Sequence, residues 1–270
     1  MSQEGFLYEE NAAKALQKKG LVKSDYKPAG ASHDRPDLDL LVNDVEYGVE
    51  LKKDLASAGS LVIKYSNSTG NFSFGNTDDN KEKEFLKNLA MNKQVLAHIK
   101  QKWKNPLWIA EDRDAKWLKR WEKAGKPDLE KRYKEDLENC KDIYFDLPAT
   151  TIQDYYNLKK TYYINVGTHG FYLLGHDDPA GINKNSVPHV PQWSNHHKAV
   201  LRIRIQSKGV TKAAQQEKAT KRPTGAQGYQ ITMEIQFKTV TKSLYNIAPV
   251  TKGSAIIQEG LIKLPKSLQR

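Results

Sequence analysis

Two short apolar runs, Leu38–Val42 and Val45–Leu51, are the feature that most constrains the fold of this chain. They are separated only by Asn43 and Asp44, two residue types that tolerate the positive φ of a tight turn. Runs of this length around a two-residue polar turn are typical of a β-hairpin. The segment therefore predicts two neighbouring antiparallel strands.

Four charged residues accompany this hairpin: Asp37, Asp39, Glu50 and Lys52. Because side chains alternate along a strand, the two aspartates share a face, and so do Glu50 and Lys52. Burying such charges is costly without a metal ion or an ionic partner. Phosphodiester hydrolysis uses a divalent cation, an activated water and positive charge near the transition state. The pattern predicts a site of this kind, and the alternative is a solvated salt-bridge ladder on an exposed sheet face.

The segments Pro36-Asp37-Leu38-Asp39 and Glu50-Leu51-Lys52 resemble the motif of the PD-(D/E)xK nuclease superfamily, which includes many restriction endonucleases and Holliday-junction resolvases. The resemblance covers roughly residues 5–54. It implies that Asp37 and Glu50 bind Mg²⁺, for which Mn²⁺ can substitute, and that Lys52 orients or activates the attacking water. Asp39 is the alternative metal ligand, since in some branches of the family the ligand lies inside the strand.

A first helix is predicted over residues 5–20, where an apolar stripe is followed by a glycine stop. Resolvase-like members of the superfamily carry a catalytic glutamate early in such a helix. The resemblance assigns this role to Glu9, with Glu10 as the alternative.

The resemblance implies a mixed α/β fold with an αβββαβ core of the restriction-endonuclease type. A second hairpin is predicted from residues 61–65 to 72–74, and a helix over 152–160 with a strand over 162–166 would complete the core. Residues 78–147, rich in Lys, Glu, Leu and Trp, are predicted to be a helical insertion. The predicted domains are a nuclease core over 1–175 and a basic, β-rich nucleic-acid-binding region over 176–270.

The positive charge of the chain is concentrated at its C-terminal end. Residues 196–270 contain 14 basic residues and three acids, whereas the first 195 residues contain 29 of each. A concentrated positive field attracts polyanions, because binding to phosphates releases condensed counterions. Candidate contacts to nucleic acid are two alternating strand residues and three residues of a predicted loop: Arg202, Arg204, Lys218, Lys221 and Arg222.

Together these features predict a Mg²⁺-dependent endonuclease acting on DNA, with RNA as the alternative substrate and a restriction-like or phage-associated role. The alternative function is a non-catalytic nucleic-acid-binding protein with a structural acidic hairpin. A homodimer is expected, since two-fold symmetry suits the cutting of both strands of a duplex. The sequence has no apolar run long enough for a membrane span, and its single cysteine suits a reducing, cytoplasmic location.

Overall fold

The computed structural model of the protein describes most of the chain. The described residues are 3–26, 35–55, 57–66, 69–78, 80–103, 119, 122–123, 125, 129–184, 186–193, 198–207, 229–239, 241–247 and 264–268.

A four-stranded mixed sheet contains the predicted hairpin. Its strand order is β1-β2-β6-β7, with β1 at Leu38–Val42, β2 at Val45–Lys52, β6 at Thr161–Val166 and β7 at Gly170–Leu173. The pairs β1–β2 and β6–β7 are antiparallel, and β2 pairs with β6 in parallel. The parallel pair places the C-terminal ends of β2 and β6 at the same edge of the sheet.

The turn between β1 and β2 has the predicted conformation. Asn43 and Asp44 both have positive φ, of 49° and 62°, as a two-residue turn that follows the strand twist requires. Strand bounds from sequence and structure agree to within one residue, so the hairpin prediction is confirmed.

Two helices accompany this sheet: α1 (Gln3–Gln17) precedes β1, and α5 (Thr150–Asn157) precedes β6. Apolar residues of α1 and of one sheet face form a single buried core, which includes Leu16, Leu40 and Val49. Burial of this apolar area is the main stabilising contribution to this part of the fold. The first helix ends three residues earlier than the sequence predicted.

A second, five-stranded sheet has the order β4-β3-β9-β8-β5. Its strands are β3 (Ser57–Ser66), β4 (Asn71–Phe74), β5 (Ile143–Leu147), β8 (Lys198–Ser207) and β9 (Tyr229–Thr239). The second predicted hairpin is therefore real, but its strands belong to this sheet and not to the sheet of the first hairpin. The local pattern predicts a hairpin correctly, but it does not determine which strand the hairpin pairs with.

Three described helices lie within the predicted insertion: α2 (Lys81–Asn92), α3 (Val95–Lys102) and α4 (Leu129–Asn139). Asn80 begins α2, and its side chain accepts a hydrogen bond from the backbone amide of Lys83 at 2.9 Å, as a helix N-cap does. No helix in the described part of the chain is long and apolar enough to cross a membrane.

The chain divides into two compact units that are not consecutive in sequence. One comprises residues 1–58, 146–200 and 236–270, and the other comprises residues 59–145 and 201–235. The prediction placed a boundary near residue 175. The observed division differs because β8 and β9 pair with strands that lie far earlier in the sequence.

Candidate active site

The hairpin register brings Asp37 and Glu50 together. Leu38 pairs with Val49, so the next position along each strand places Asp37 opposite Glu50 on one sheet face. Both residues are buried, at 8% and 2% exposure. The solvated salt-bridge ladder is therefore not what the hairpin forms.

Asp37 is held from two sides. Its Oδ2 accepts a hydrogen bond from the backbone amide of Leu51 at 3.0 Å, and its backbone carbonyl accepts one from the hydroxyl of Tyr26. The first bond ties the Asp37 carboxylate directly to β2, so the carboxylate is fixed relative to Glu50 and Lys52.

Lys52 lies between the two carboxylates. Its Nζ donates a hydrogen bond to Glu50 Oε1 and lies 3.9 Å from Asp37 Oδ2. The lysine side chain is 20% exposed, whereas that of Glu50 is 3% exposed. The lysine side chain is therefore the most exposed of the three.

The pKa values of the two carboxyl groups are shifted in opposite directions. Burial, together with the charge of Glu50, raises the pKa of Asp37 to about 7. Burial also disfavours the charged form of Glu50, but the positive charges of Lys52 and Lys159 outweigh it and lower its pKa. The two carboxyl groups flank one ammonium, since Lys52 Nζ bonds to Glu50 and lies 3.9 Å from Asp37 Oδ2.

Glu9 joins this cluster from α1. It is 5% exposed, and its pKa is raised to about 8 by burial and by the negative charge of Asp37, with Lys52 acting in the opposite direction. Glu10, the alternative, instead accepts an exposed hydrogen bond from Lys14 at 2.6 Å. The structure thus brings Glu9, and not Glu10, into the charge cluster.

Asp39 lies on the same sheet face as Asp37, but it belongs to a different group of charges. It pairs with Gly48 in the hairpin register. It is half-buried, and after burial the charges that act on its pKa are those of Glu46, Arg35 and Lys23. The residues that the structure brings together are therefore Glu9, Asp37, Glu50 and Lys52.

The sequence did not predict two further residues at the site. One, Tyr156, lies in α5, and the other, Lys159, lies just after it. The hydroxyl of Tyr156 donates to Glu50 Oε1 at 3.3 Å. Lys159 follows one helical turn later, with its backbone amide bonded to the Tyr156 carbonyl at 3.0 Å. Its positive charge lowers the pKa of both Asp37 and Glu50. No local motif marks these residues, because the pairing of β6 with β2 brings them to the site.

The donor set of this site fits a hard divalent cation. Among the described residues, Glu50 Oε2 and Glu9 Oε2 are buried without a hydrogen-bond partner. Burial, followed by the charge of a neighbouring carboxylate, raises the pKa of both Asp37 and Glu9. Mg²⁺ is commonly bound through one or two carboxylates while it keeps several waters. Within the described ranges, no group of three or more His, Cys, Asp or Glu side chains is arranged as a metal site.

The guanidinium groups of Arg202 and Arg204, predicted to contact phosphates, are paired with carboxylates in the structure. Arg202 Nη2 bonds to Asp142 Oδ2 at 2.6 Å, and Arg204 Nε lies 3.0 Å from Glu234 Oε1. The two arginines share a sheet face, as their alternation predicted, but their guanidinium groups bond to Asp142, just before β5, and to Glu234 of β9. Lys218, Lys221 and Arg222 lie outside the described residues.

Comparisons with models of known protein families, with curated proteins and with solved structures find no match.

Proposed function

We propose that this protein is a metal-dependent nuclease that hydrolyses DNA phosphodiester bonds at the Glu9, Asp37, Glu50 and Lys52 cluster, on a core of the restriction-endonuclease type. The observation that carries the proposal is the convergence of buried carboxyl groups around one lysine, with Glu50 Oε2 left without a hydrogen-bond partner among the residues that the structure describes. Burying these charged groups costs desolvation free energy, so such a cluster contributes little to the stability of a sheet. It is well suited to holding a cation beside a phosphate.

Each residue has a role that follows from its position. Asp37 and Glu50 would hold Mg²⁺ or Mn²⁺, which when bound polarises a phosphate oxygen and lowers the pKa of a coordinated water. Lys52 is the most exposed member of the triad, so its ammonium is placed to orient the attacking water or to offset charge on the phosphate. Glu9, with its raised pKa, is placed to exchange a proton near neutral pH.

A polyanionic substrate is supported by the charge distribution. The last third of the chain carries the whole positive surplus of the protein, and such a field increases the rate of encounter with nucleic acid. A homodimer would present two such sites to the two strands of a duplex.

The deciding experiment uses covalently closed supercoiled plasmid with Mg²⁺, with Mn²⁺, or with EDTA. Because this substrate has no ends, conversion to nicked or linear DNA identifies an endonuclease. We expect cleavage with either metal, none with EDTA, and none by Glu50→Gln. Plasmid binding without cleavage under both metals would instead favour a non-catalytic nucleic-acid-binding protein. A parallel arm with single-stranded RNA separates the two nucleic acids.

A further inference from the structure

A second buried polar cluster lies on the opposite face of the sheet from Glu50. Its centre is Asn165 of β6, which is fully buried and pairs with Leu51 in the register. Asn165 Nδ2 donates to Tyr8 Oη at 2.9 Å and to Asn246 Oδ1 at 3.0 Å. Its Oδ1 accepts from the backbone amide of Ile247 at 3.1 Å. Both N–H groups and the carbonyl of this side chain are thus satisfied.

The cluster continues to the main chain of Lys52. Asn246 Nδ2 donates to the carbonyl of Gly167 at 2.8 Å, and the amide of Gly167 donates to the carbonyl of Lys52 at 2.8 Å. Gly167 also has no room for a side chain, because a Cβ would lie 2.9 Å from both the Lys53 carbonyl and Tyr8 Oη. The C-terminal end of β2 is therefore bonded to Gly167, which Asn246 in turn holds.

Because all hydrogen-bonding groups of the Asn165 side chain have partners, this cluster can hold the segments around it in one position. A buried amide that loses a partner costs the free energy of its desolvation, so a network of this kind has one favoured arrangement. Lys52, the lysine of the proposed site, is the residue whose backbone carbonyl accepts the hydrogen bond from Gly167. A displacement of about 1 Å in a catalytic group can reduce the rate about a hundredfold.

We propose that Asn165 and Asn246 are positioning residues that set the placement of the Lys52 ammonium through Gly167. The inference rests on the proposed function. It also assigns Asn246, in the segment that follows β9, to the support of the site. Tyr8 contributes from α1, one residue before Glu9, so the same cluster joins three segments that carry or support the site.

Asn246→Asp is the sharpest test, because it keeps the shape and the acceptor for Asn165 but removes the donor to Gly167. Asn246→Ala serves as the second variant. Tyr245→Phe is the matched control: it lies in the same segment and loses one hydrogen bond, from Tyr245 Oη to the Pro188 carbonyl at 2.6 Å, which leads away from Lys52. We expect kcat to fall about tenfold to a hundredfold in both Asn246 variants, with KM unchanged and with Tyr245→Phe close to the parent.

A readout that needs no cleavage separates this inference from the proposed function. The ¹³Cε and ¹⁵Nζ signals of Lys52, assigned with Lys52→Arg, report the surroundings of its ammonium. We expect them to shift in both Asn246 variants and to stay in place in Tyr245→Phe. If the parent cleaves nothing but the signals shift, the proposed function is wrong and the positioning remains. If Lys52 signals in the Asn246 variants match those of Tyr245→Phe, the inference is overturned.

Discussion

Asp37 and Asp39 share one face of the hairpin but interact with different charges. Asp37 is bonded to the Leu51 amide and lies 3.9 Å from Lys52 Nζ, whereas Asp39 is influenced by Glu46, Arg35 and Lys23. The register explains the difference, because Asp37 extends it to a position opposite Glu50, while Asp39 lies opposite Gly48. The motif alone left both as candidate metal ligands.

The two aspartates give a matched pair of variants. We expect Asp37→Asn to reduce plasmid cleavage at least about a hundredfold, because the cation loses one of its two carboxylates. Asp39→Asn should cleave within about twofold of the parent, since its charge lies outside the cluster. Thermal unfolding with and without Mg²⁺ measures binding directly: the metal-induced rise in Tm should vanish in Asp37→Asn only. Loss of cleavage in Asp39→Asn alone would transfer the ligand role to that residue.

Local signals explain why the hairpin could be predicted. The turn at Asn43 and Asp44 and the apolar runs around it act over a few residues, and the structure reproduces them closely. The proximity of Asp37, Glu50 and Lys52 was also anticipated, because these residues lie on or beside the two strands that this turn joins. Glu9 came from a resemblance, and its placement depends on how α1 packs.

Long-range pairing explains what the sequence did not predict. Tyr156 lies 106 residues from Glu50 and reaches it only because β6 pairs with β2. Arg202 was predicted to contact nucleic acid, but its guanidinium group bonds to Asp142, which is 60 residues earlier. Contacts between residues so far apart in sequence cannot be predicted from the local pattern of either segment. The Asn165 cluster was missed for the same reason, since Asn246 is 81 residues away.

The stability of the metal-free protein should decrease as pH rises through neutrality. Burial raises the pKa of Glu9 from 4.5 to about 8, so the folded state holds a proton that the unfolded chain has released. Unfolding then releases a proton between about pH 4.5 and about pH 8, and the free energy of unfolding falls across that range. Asp37, with a pKa raised to about 7, acts in the same direction.

Urea unfolding in EDTA across this range measures the effect. We expect Glu9→Gln to flatten the dependence of unfolding free energy on pH, because the glutamine carries no proton to release. Glu10→Gln, an exposed neighbour whose carboxylate pairs with Lys14, should retain the slope of the parent. A slope that is unchanged in Glu9→Gln would show that Glu9 is ionised in the folded protein.

Lys159 should contribute to cleavage although it lies outside the motif. Its charge acts on both Asp37 and Glu50, so a phosphate beside these carboxyl groups lies within reach of the same ammonium field. We expect Lys159→Ala to lower kcat/KM about tenfold, the loss of roughly one hydrogen bond to a charged group. The adjacent Lys160→Ala, which removes the same charge one residue further along the chain, is the control. Equal losses in both variants would indicate a general effect of basic charge.

Arg204 should stabilise the fold without binding DNA. Its partner Glu234 has a side chain only 4% exposed, and the Nε to Oε1 distance is 3.0 Å. We expect Arg204→Met to destabilise the protein by about 2–3 kcal/mol, because it leaves a buried carboxylate without its nearest cation. The double variant Arg204→Met with Glu234→Leu should recover most of that loss, since it removes both charges together. Chemical denaturation measures both effects, and DNA affinity per folded molecule should stay at the parental value. If DNA affinity falls and stays low in the stable double variant, Arg204 contacts nucleic acid and this prediction is wrong.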